Sequence, residues 1–225
     1  MALPDWQALL ADPVKHWKPG YSAMSTAQSW EHADDLPPEI TALLGGARLI
    51  FATMEHKVPM PGPGADSQCD VFALVHRDGT DIAVAVEAKV NEPFGQTIGE
   101  WFDPASPSRT ARLSGLCDLL DAPFPPPPDL RYQLFHRTAA AVIEARRLSR
   151  PAAAMLVQSF SPDDRWFDDF AKFCTYLGCA TPTIGTTTQK TLPDGRPLIL
   201  GWAKSDPRFL SDLAKPSDPT RERSS

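Results

Sequence analysis

Two hydrophobic periods alternate along the chain and divide it into predicted helices and strands. A period near 3.6 predicts helices over 22–32, 37–44, 108–120, 130–148 and 163–177. A period of two, or a short apolar run, predicts strands over 47–57, 68–76, 81–90, 152–160, 183–190 and 198–204. Strands and helices in this order predict a mixed α/β fold, with a central mixed sheet flanked by helices.

Turn residues mark the boundaries between these segments. Asp78-Gly79 separates two strand patterns, and this dipeptide is a strong signal for a tight antiparallel hairpin. Pro151 and Gly178 each follow a predicted helix. The stretches PGPG (61–64) and PPPP (125–128) are predicted loops.

Composition limits the size and environment of the protein. With 225 residues, 42% of them hydrophobic, the chain can bury one sizeable core, so we expect one domain over 1–214. Residues 215–225 are polar and are expected to form a mobile tail. The net charge of -6 confines any nucleic-acid contact to a local basic patch.

Cysteine spacing and apolar runs favour a cytoplasmic protein. The four cysteines form no C-x-x-C pair, which predicts reduced, mostly buried thiols. No signal-peptide pattern opens the chain, and no apolar run could span a bilayer, so no membrane partner is expected. The tryptophans are expected to serve as core or interface anchors: Trp30, Trp101, Trp166 and Trp202.

Charged residues interrupt the predicted hairpin at its open end. Because side chains alternate along a strand, Glu87 and Lys89 share a face with two small alanines, Ala83 and Ala85. The opposite face carries Ile and Val and is predicted core. Asp70 begins the preceding strand, and the turn lies midway between Asp70 and Glu87, so the hairpin should bring the two acids together.

Two neighbouring carboxylates in a partly desolvated place repel each other. A hard divalent cation removes this conflict, and Mg²⁺ prefers carboxylate oxygens together with water and substrate phosphate. A lysine beside such an ion could orient or deprotonate a water molecule or hold the phosphate. The three residues therefore predict metal-assisted phosphodiester hydrolysis.

Asp70 followed by Glu87-Ala88-Lys89 at the end of the next strand resembles the PD-(D/E)XK nuclease superfamily, with Cys69 in place of the proline. The resemblance implies a restriction-endonuclease-like αβββαβ core over about 22–160. It also implies that Asp70 and Glu87 bind Mg²⁺, or Mn²⁺ as a substitute, while Lys89 assists the water. The implied substrate is nucleic acid, DNA in preference to RNA; the oligomeric state stays open, a homodimer included.

Further members of such a site are less sharply indicated. Some members of the superfamily carry a glutamate on the first core helix, for which the candidates are Glu31 and Glu39, with Glu55 on the first strand as a third. One branch carries Gln-x-x-x-Tyr on the helix after the motif; here Gln133 is present and Arg137 replaces the tyrosine. Arg137 or His136 could contact a phosphate.

Three alternatives compete with the nuclease interpretation. A Glu-x-Lys tripeptide is expected about once in a chain of this length, so Glu87 and Lys89 could be a solvated strand end. A catalytically inactive nucleic-acid-binding or scaffold protein on the same fold is the second alternative. A plain α/β domain without any such site is the third.

Overall fold

A computed structural model describes residues 3–10 and 13–213. In this part of the chain the helices are α1 (Leu3–Leu9), α2 (Pro13–His16), α3 (Ser22–Glu31), α4 (Pro38–Leu43), α5 (Ile98–Trp101), α6 (Pro107–Leu120), α7 (Tyr132–Arg147) and α8 (Phe167–Tyr176), with a 3-10 helix at Pro207–Leu210. The strands are β1 (Arg48–Val58), β2 (Ser67–Arg77), β3 (Thr80–Lys89), β4 (Ala152–Ser159), β5 (Thr187–Thr191) and β6 (Pro197–Lys204). The tail predicted from residue 215 lies outside the described residues.

The strands form one mixed sheet with the order β1-β2-β3-β4-β6-β5. The first three strands are an antiparallel meander, and β4 lies parallel to β3. Helix α7 makes the crossover between these parallel strands and packs on both of them. β6 continues the parallel part, and β5 adds an antiparallel edge. The expected mixed α/β architecture is therefore confirmed.

The hairpin between β2 and β3 turns where the sequence predicts. Both Asp78 and Gly79 have positive φ, 48° and 77°, as a two-residue type I′ turn requires. The pairing runs from Arg77–Thr80 at the turn to Val71–Val86. The turn thus sets a register in which every valine of β3 up to Val86 lies on one face.

Each face of the sheet buries its own core. The α7 face is covered by α6, α7 and α8 and includes Phe72, Ala83, Ala85, Leu134, Phe135, Met155, Phe170, Phe173 and Trp202. The α3 face is covered by α3 and α4 and includes Met54, Val71, Val84, Val86, Trp30, Ile40 and Leu156. Small side chains on both surfaces, Ala83 and Ala85 on β3 and Ala139 to Ala141 on α7, let the helix lie close to the strands.

Several predicted boundaries are wrong for local reasons. The strand predicted over 183–190 begins only at Thr187, because the chain turns between Thr183 and Thr186. The helix predicted from 163 begins at Phe167, because Trp166 has the left-handed φ of 70° and cannot be helical. The helix predicted from 108 begins at Pro107, and the Ser106 side chain caps it. The predictions omit the short helices α1, α2 and α5 and the 3-10 helix.

The cysteines and two of the tryptophans are buried, as the sequence predicts. All four cysteines are free and buried. Trp30 and Trp202 are buried, whereas Trp101 and Trp166 are half-buried. Among residues 3–10 and 13–213, no helix is long and apolar enough to cross a membrane.

Candidate active site

Side chains alternate between the two faces of the sheet along β1 and β2, but this alternation is interrupted at Glu55 on β1 and at Asp70 on β2. On β2, Val71 belongs to the α3 face, but Cys69 belongs to the α7 face. On β1, Met54 likewise belongs to the α3 face and Val58 to the α7 face. Glu55 and Asp70 lie at the reversal, between the paired residues Met54–Val71 and His56–Cys69.

The backbone of Glu55 makes this reversal. Its φ of 51° lies in the left-handed region, which is uncommon for a residue with a side chain and costs about 1–3 kcal/mol. The Glu55 Oε2 accepts a hydrogen bond of 2.5 Å from the Gln68 amide. A strained acid held beside a second acid is typical of functional sites.

Asp70 occupies the gap that opens between β2 and β3. The ladder between these strands ends at Val71–Val86, so the backbone N–H of Ala88 has no backbone partner on β2. Asp70 Oδ2 accepts this N–H at 2.7 Å instead. The carboxylate of Asp70 is therefore fixed next to the backbone of the Glu87-Ala88-Lys89 segment.

Glu87 points to the α7 face and is held by three donors. Lys89 Nζ lies 2.5 Å and Gln133 Nε2 lies 2.8 Å from Glu87 Oε1. Arg137 Nε lies 2.5 Å from Glu87 Oε2. Glu87 is only 2% exposed, so these partners compensate a charge that water does not reach. Gln133 and Arg137, predicted auxiliary residues, therefore act on Glu87 in this structure.

The site gathers three acids, Asp70, Glu55 and Glu87, and the cations Arg137 and Lys89 are buried beside them. Burial and then the charge of Glu87 raise the pKa of Asp70 to about 8, although Arg137 and Lys89 oppose the shift. Burial also raises the pKa of Glu55. Burial alone would raise the pKa of Glu87 as well, but Arg137 and Lys89 outweigh it and lower that pKa to about 2. The negative charge is therefore held by Glu87, and the surroundings of Asp70 favour its protonated form.

The donor set suits a hard cation by its chemistry. Carboxylate oxygens are the ligands that Mg²⁺ and Mn²⁺ prefer, and a cation would relieve the repulsion that raises the pKa of Asp70. Asp70 and Glu87 could hold it, with Glu55 as a further ligand. In the arrangement described for residues 3–10 and 13–213, no three acidic, histidine or cysteine side chains form a group that could hold a metal. Glu87 Oε1 would first have to release Lys89 or Gln133.

A groove leads to the acids from the α3 side of the sheet. Its volume is about 600 Å³, and Glu55, Asp70, His16, Tyr21 and Glu92 are among its lining residues. The groove therefore gives an extended ligand access to Asp70 and Glu55, whereas Glu87 and Lys89 are buried behind them.

The comparisons with known proteins assign a family but no activity. A family model described as a domain of unknown function, DUF6946, matches residues 2–207. The chain belongs to this family. No curated protein and no solved structure matches the chain.

The other predicted acids of this DUF6946 protein lie apart from Asp70. Glu31 Oε1 accepts the indole N–H of Trp6 at 2.8 Å. Glu39 Oε1 accepts hydrogen bonds from Gln158 Nε2 and from Ser205 Oγ, at 2.9 and 2.5 Å. Of the three candidate glutamates, the structure brings only Glu55 beside Asp70. No sequence signal distinguishes it, because its left-handed backbone is a property of the folded strand pair.

His136 lies next to the site but does not touch Glu87. Its Nδ1 is 2.9 Å from Ser67 Oγ, and the same hydroxyl accepts a hydrogen bond of 2.9 Å from Arg137 Nη1. Burial and the charge of Arg137 lower the pKa of His136 to about 3, so the ring is neutral near pH 7. Ser67 and Gln68, which the sequence interpretation missed, therefore organise the DUF6946 site from just before Asp70.

Proposed function

We propose that this DUF6946 protein is a metal-dependent phosphodiesterase that cleaves nucleic acid, DNA in preference to RNA. The observation that carries the proposal is that Asp70, Glu55 and the Glu87–Lys89 ion pair lie near enough for their charges to act on one another, where β2 separates from β3. One lysine beside several acids is the set that metal-assisted phosphoryl chemistry uses.

The order of elements supports the same proposal. A helix precedes the meander β1-β2-β3, and the crossover helix α7 leads to β4, which is parallel to β3. This is the αβββαβ order implied by the resemblance to PD-(D/E)XK nucleases. Asp70 is on the second strand of the meander and the Glu87-Ala88-Lys89 segment is on the third, which supports the resemblance.

Each residue has a distinct role in the proposed reaction. A Mg²⁺ ion held at this site would supply an activated water and a counter-charge for the phosphate oxygens. Asp70 and Glu87 provide the ligand oxygens, and Gln133 and Arg137 orient Glu87. Lys89, once released from Glu87, orients the attacking water and stabilises the negative charge that develops on the phosphate.

One observation favours a second candidate, a nucleic-acid-binding protein without catalysis. Both oxygens of Glu87 are already engaged, by Lys89 and Gln133 on one side and by Arg137 on the other. A buried, fully compensated ion triad can also be a structural element. The two candidates differ in whether the metal displaces Lys89 and whether phosphodiester bonds are cut.

Nuclease assays with Mg²⁺ or Mn²⁺ on linear, circular, single-stranded and double-stranded substrates test the proposal. We expect the wild type to cleave at least one substrate, and Lys89→Ala to lose about a hundredfold or more in rate, as for one positioned catalytic group. Lys172→Ala is the matched control, since Lys172 pairs with Asp129 on the surface, away from the site.

Metal binding is measured separately by the shift of the melting temperature. Mg²⁺ should stabilise the wild type and Lys89→Ala but not a folded Glu87→Gln variant, because the ion binds the native site. A metal-stabilised wild type that cleaves none of the substrates would leave the binding protein as the better candidate. An equal shift in Glu87→Gln would place the ion elsewhere.

A further inference from the structure

A second cavity lies on the α7 face, separate from the groove at Asp70. Its volume is about 380 Å³, within the range of small-ligand sites. It is surrounded by the loop 61–67, α5, the first turns of α6 and the start of α7. The residues that matter for its chemistry are Trp101, Arg109, Arg112, Tyr132 and His136.

Arg112 places a buried positive charge in the wall of this cavity. Arg112 is only 3% exposed. Its guanidinium group donates hydrogen bonds to the carbonyl oxygens of Gly62, Pro63 and Ala65, at 3.3, 3.3 and 3.0 Å. These partners are neutral. In the part of the chain that the structure describes, no carboxylate pairs with Arg112, so its charge lacks the counter-ion that burial normally demands.

Arg109 adds a second cation at the exposed side of the cavity. It donates to the Trp101 carbonyl oxygen at 2.7 Å and lies 5.8 Å from the centre of the Trp101 ring. Among residues 3–10 and 13–213 it has no carboxylate partner either. One acid, Asp66, also lines the cavity; it is exposed on the loop and pairs with neither arginine. The cavity therefore keeps a net positive lining.

The remaining wall provides neutral donors and a flat apolar surface. Ser67 accepts from Arg137 and can use its own hydrogen to donate to His136 Nδ1, and in that arrangement the neutral His136 ring carries its proton on Nε2. The ring of Tyr132 stacks on Trp101 with centroids 3.8 Å apart. Two guanidinium groups, an imidazole N–H and a flat aromatic pair are a combination suited to a phosphate carrying a planar base.

We propose that this cavity binds a phosphate group, either free or as part of a nucleotide or a nucleic-acid strand. The proposal does not depend on the phosphodiesterase activity, because the arginines that carry it are distinct from Asp70, Glu87 and Lys89. Ser67 joins the cavity to the candidate active site, since it bonds both His136 and the Arg137 that holds Glu87.

Isothermal titration in the absence of divalent metal tests this site, with inorganic phosphate, thymidine monophosphate and a short single-stranded oligonucleotide as probes. Sodium chloride keeps the ionic strength constant. We expect saturable binding by the wild type and about tenfold or greater weakening in Arg109→Ala, the loss expected for a hydrogen bond to a charged group. Arg109 is exposed, so this variant should keep its fold. Arg165→Ala, an exposed arginine outside the cavity, is the matched control.

The variants distinguish this site from the candidate active site. Arg109→Ala binding more weakly while Lys89→Ala binds like the wild type supports the proposal. Tighter binding of thymidine monophosphate than of inorganic phosphate then identifies the ligand as a nucleotide, and equal affinity identifies free phosphate. Equal affinity of wild type and Arg109→Ala overturns the proposal, as does loss of binding in Lys89→Ala alone or no binding of any probe.

Discussion

At the scale of single residues, Asp70 and Glu87 show how the same side-chain chemistry takes two ionisation states. Glu87 is buried against Arg137 and Lys89, whose charges hold its pKa at about 2. Asp70 is bonded to a neutral backbone N–H, and burial with the charge of Glu87 raises its pKa to about 8. The cations therefore pair with one acid, and the other is left in need of a proton or a metal.

This difference predicts an unusual dependence of stability on pH in metal-free buffer. Between the unfolded pKa of about 3.9 and the folded pKa of about 8, the folded protein holds a proton on Asp70 that the unfolded chain has released. The contribution of Asp70 to stability therefore falls as pH rises through this window and is constant above it. Glu87 acts in the opposite sense, but only below about pH 4.5.

Replacing Asp70 with asparagine should remove the loss of folding stability that the ionisation of Asp70 causes at high pH. The asparagine side chain keeps an oxygen for the Ala88 N–H but carries no charge, so we expect Asp70→Asn to be more stable than the wild type at pH 8, by as much as about 5 kcal/mol. This difference should be smallest near pH 4.5 and should grow as the pH rises. Urea denaturation with chelator at several pH values measures this.

Asp118→Asn is the control for this series, because Asp118 is exposed on α6 and its replacement should change stability by less than about 0.5 kcal/mol at any pH. An Asp70→Asn variant whose disadvantage grows with pH would show that Asp70 is ionised in the native protein and stabilises it.

At the scale of elements, the PGPG loop and α6 are fitted closely to each other. A Cβ atom on Gly115 would lie 2.7 Å from Pro61 Cβ, and one on Gly64 would lie 2.8 Å from Arg112 Nη2. The loop follows β1 and leads directly into Ser67 at the start of β2. Its contact with α6 therefore shapes the cavity lined by Arg109 and Arg112.

Gly115→Ala tests whether this contact outweighs helix propensity. In an isolated helix the alanine would be more favourable by about 1 kcal/mol. Here the added methyl group meets Pro61, so we expect a destabilisation of about 1–3 kcal/mol, as for overpacking. The measurement is the free energy of unfolding in urea.

Ser114→Ala on the preceding residue of α6 is the matched variant, because it also raises helix propensity but adds no atom that could meet the loop. It should be neutral or stabilising. A stabilised Gly115→Ala protein would mean that the loop moves away from α6 easily.

At the scale of the whole molecule, the core needs elements beyond the 22–160 segment predicted as the nuclease-like core. Phe170 and Phe173 from α8 and Trp202 from β6 are buried among the α7-face residues. β6 also pairs with β4, a mainly apolar strand whose residues are all buried. Without these elements β4 would be an exposed apolar edge.

A chain truncated after Ser161 should therefore lack a cooperative unfolding transition, whereas a chain ending at Leu213 retains every described element. Circular dichroism with urea titration compares the two truncations. The αβββαβ segment folds by itself if the shorter chain unfolds cooperatively and its free energy of unfolding depends on urea concentration as steeply, per residue, as that of the longer chain.

Local sequence determined the order of most helices and strands, the hairpin and the shared face of Glu87 and Lys89. These features follow from side-chain periodicity and from Asp78-Gly79, which act over a few neighbouring residues. Resemblance to a known motif added a role for Asp70, and this role stays a prediction.

Only the tertiary structure decided which other residues join the site. Glu55 lies beside Asp70 because two strands reverse their alternation together, and Arg137 meets Glu87 because α7 crosses that face of the sheet. Arg112 loses its access to water only when the loop 61–67 closes over α6. Each of these contacts joins residues that lie far apart in the chain, so no local pattern could reveal them.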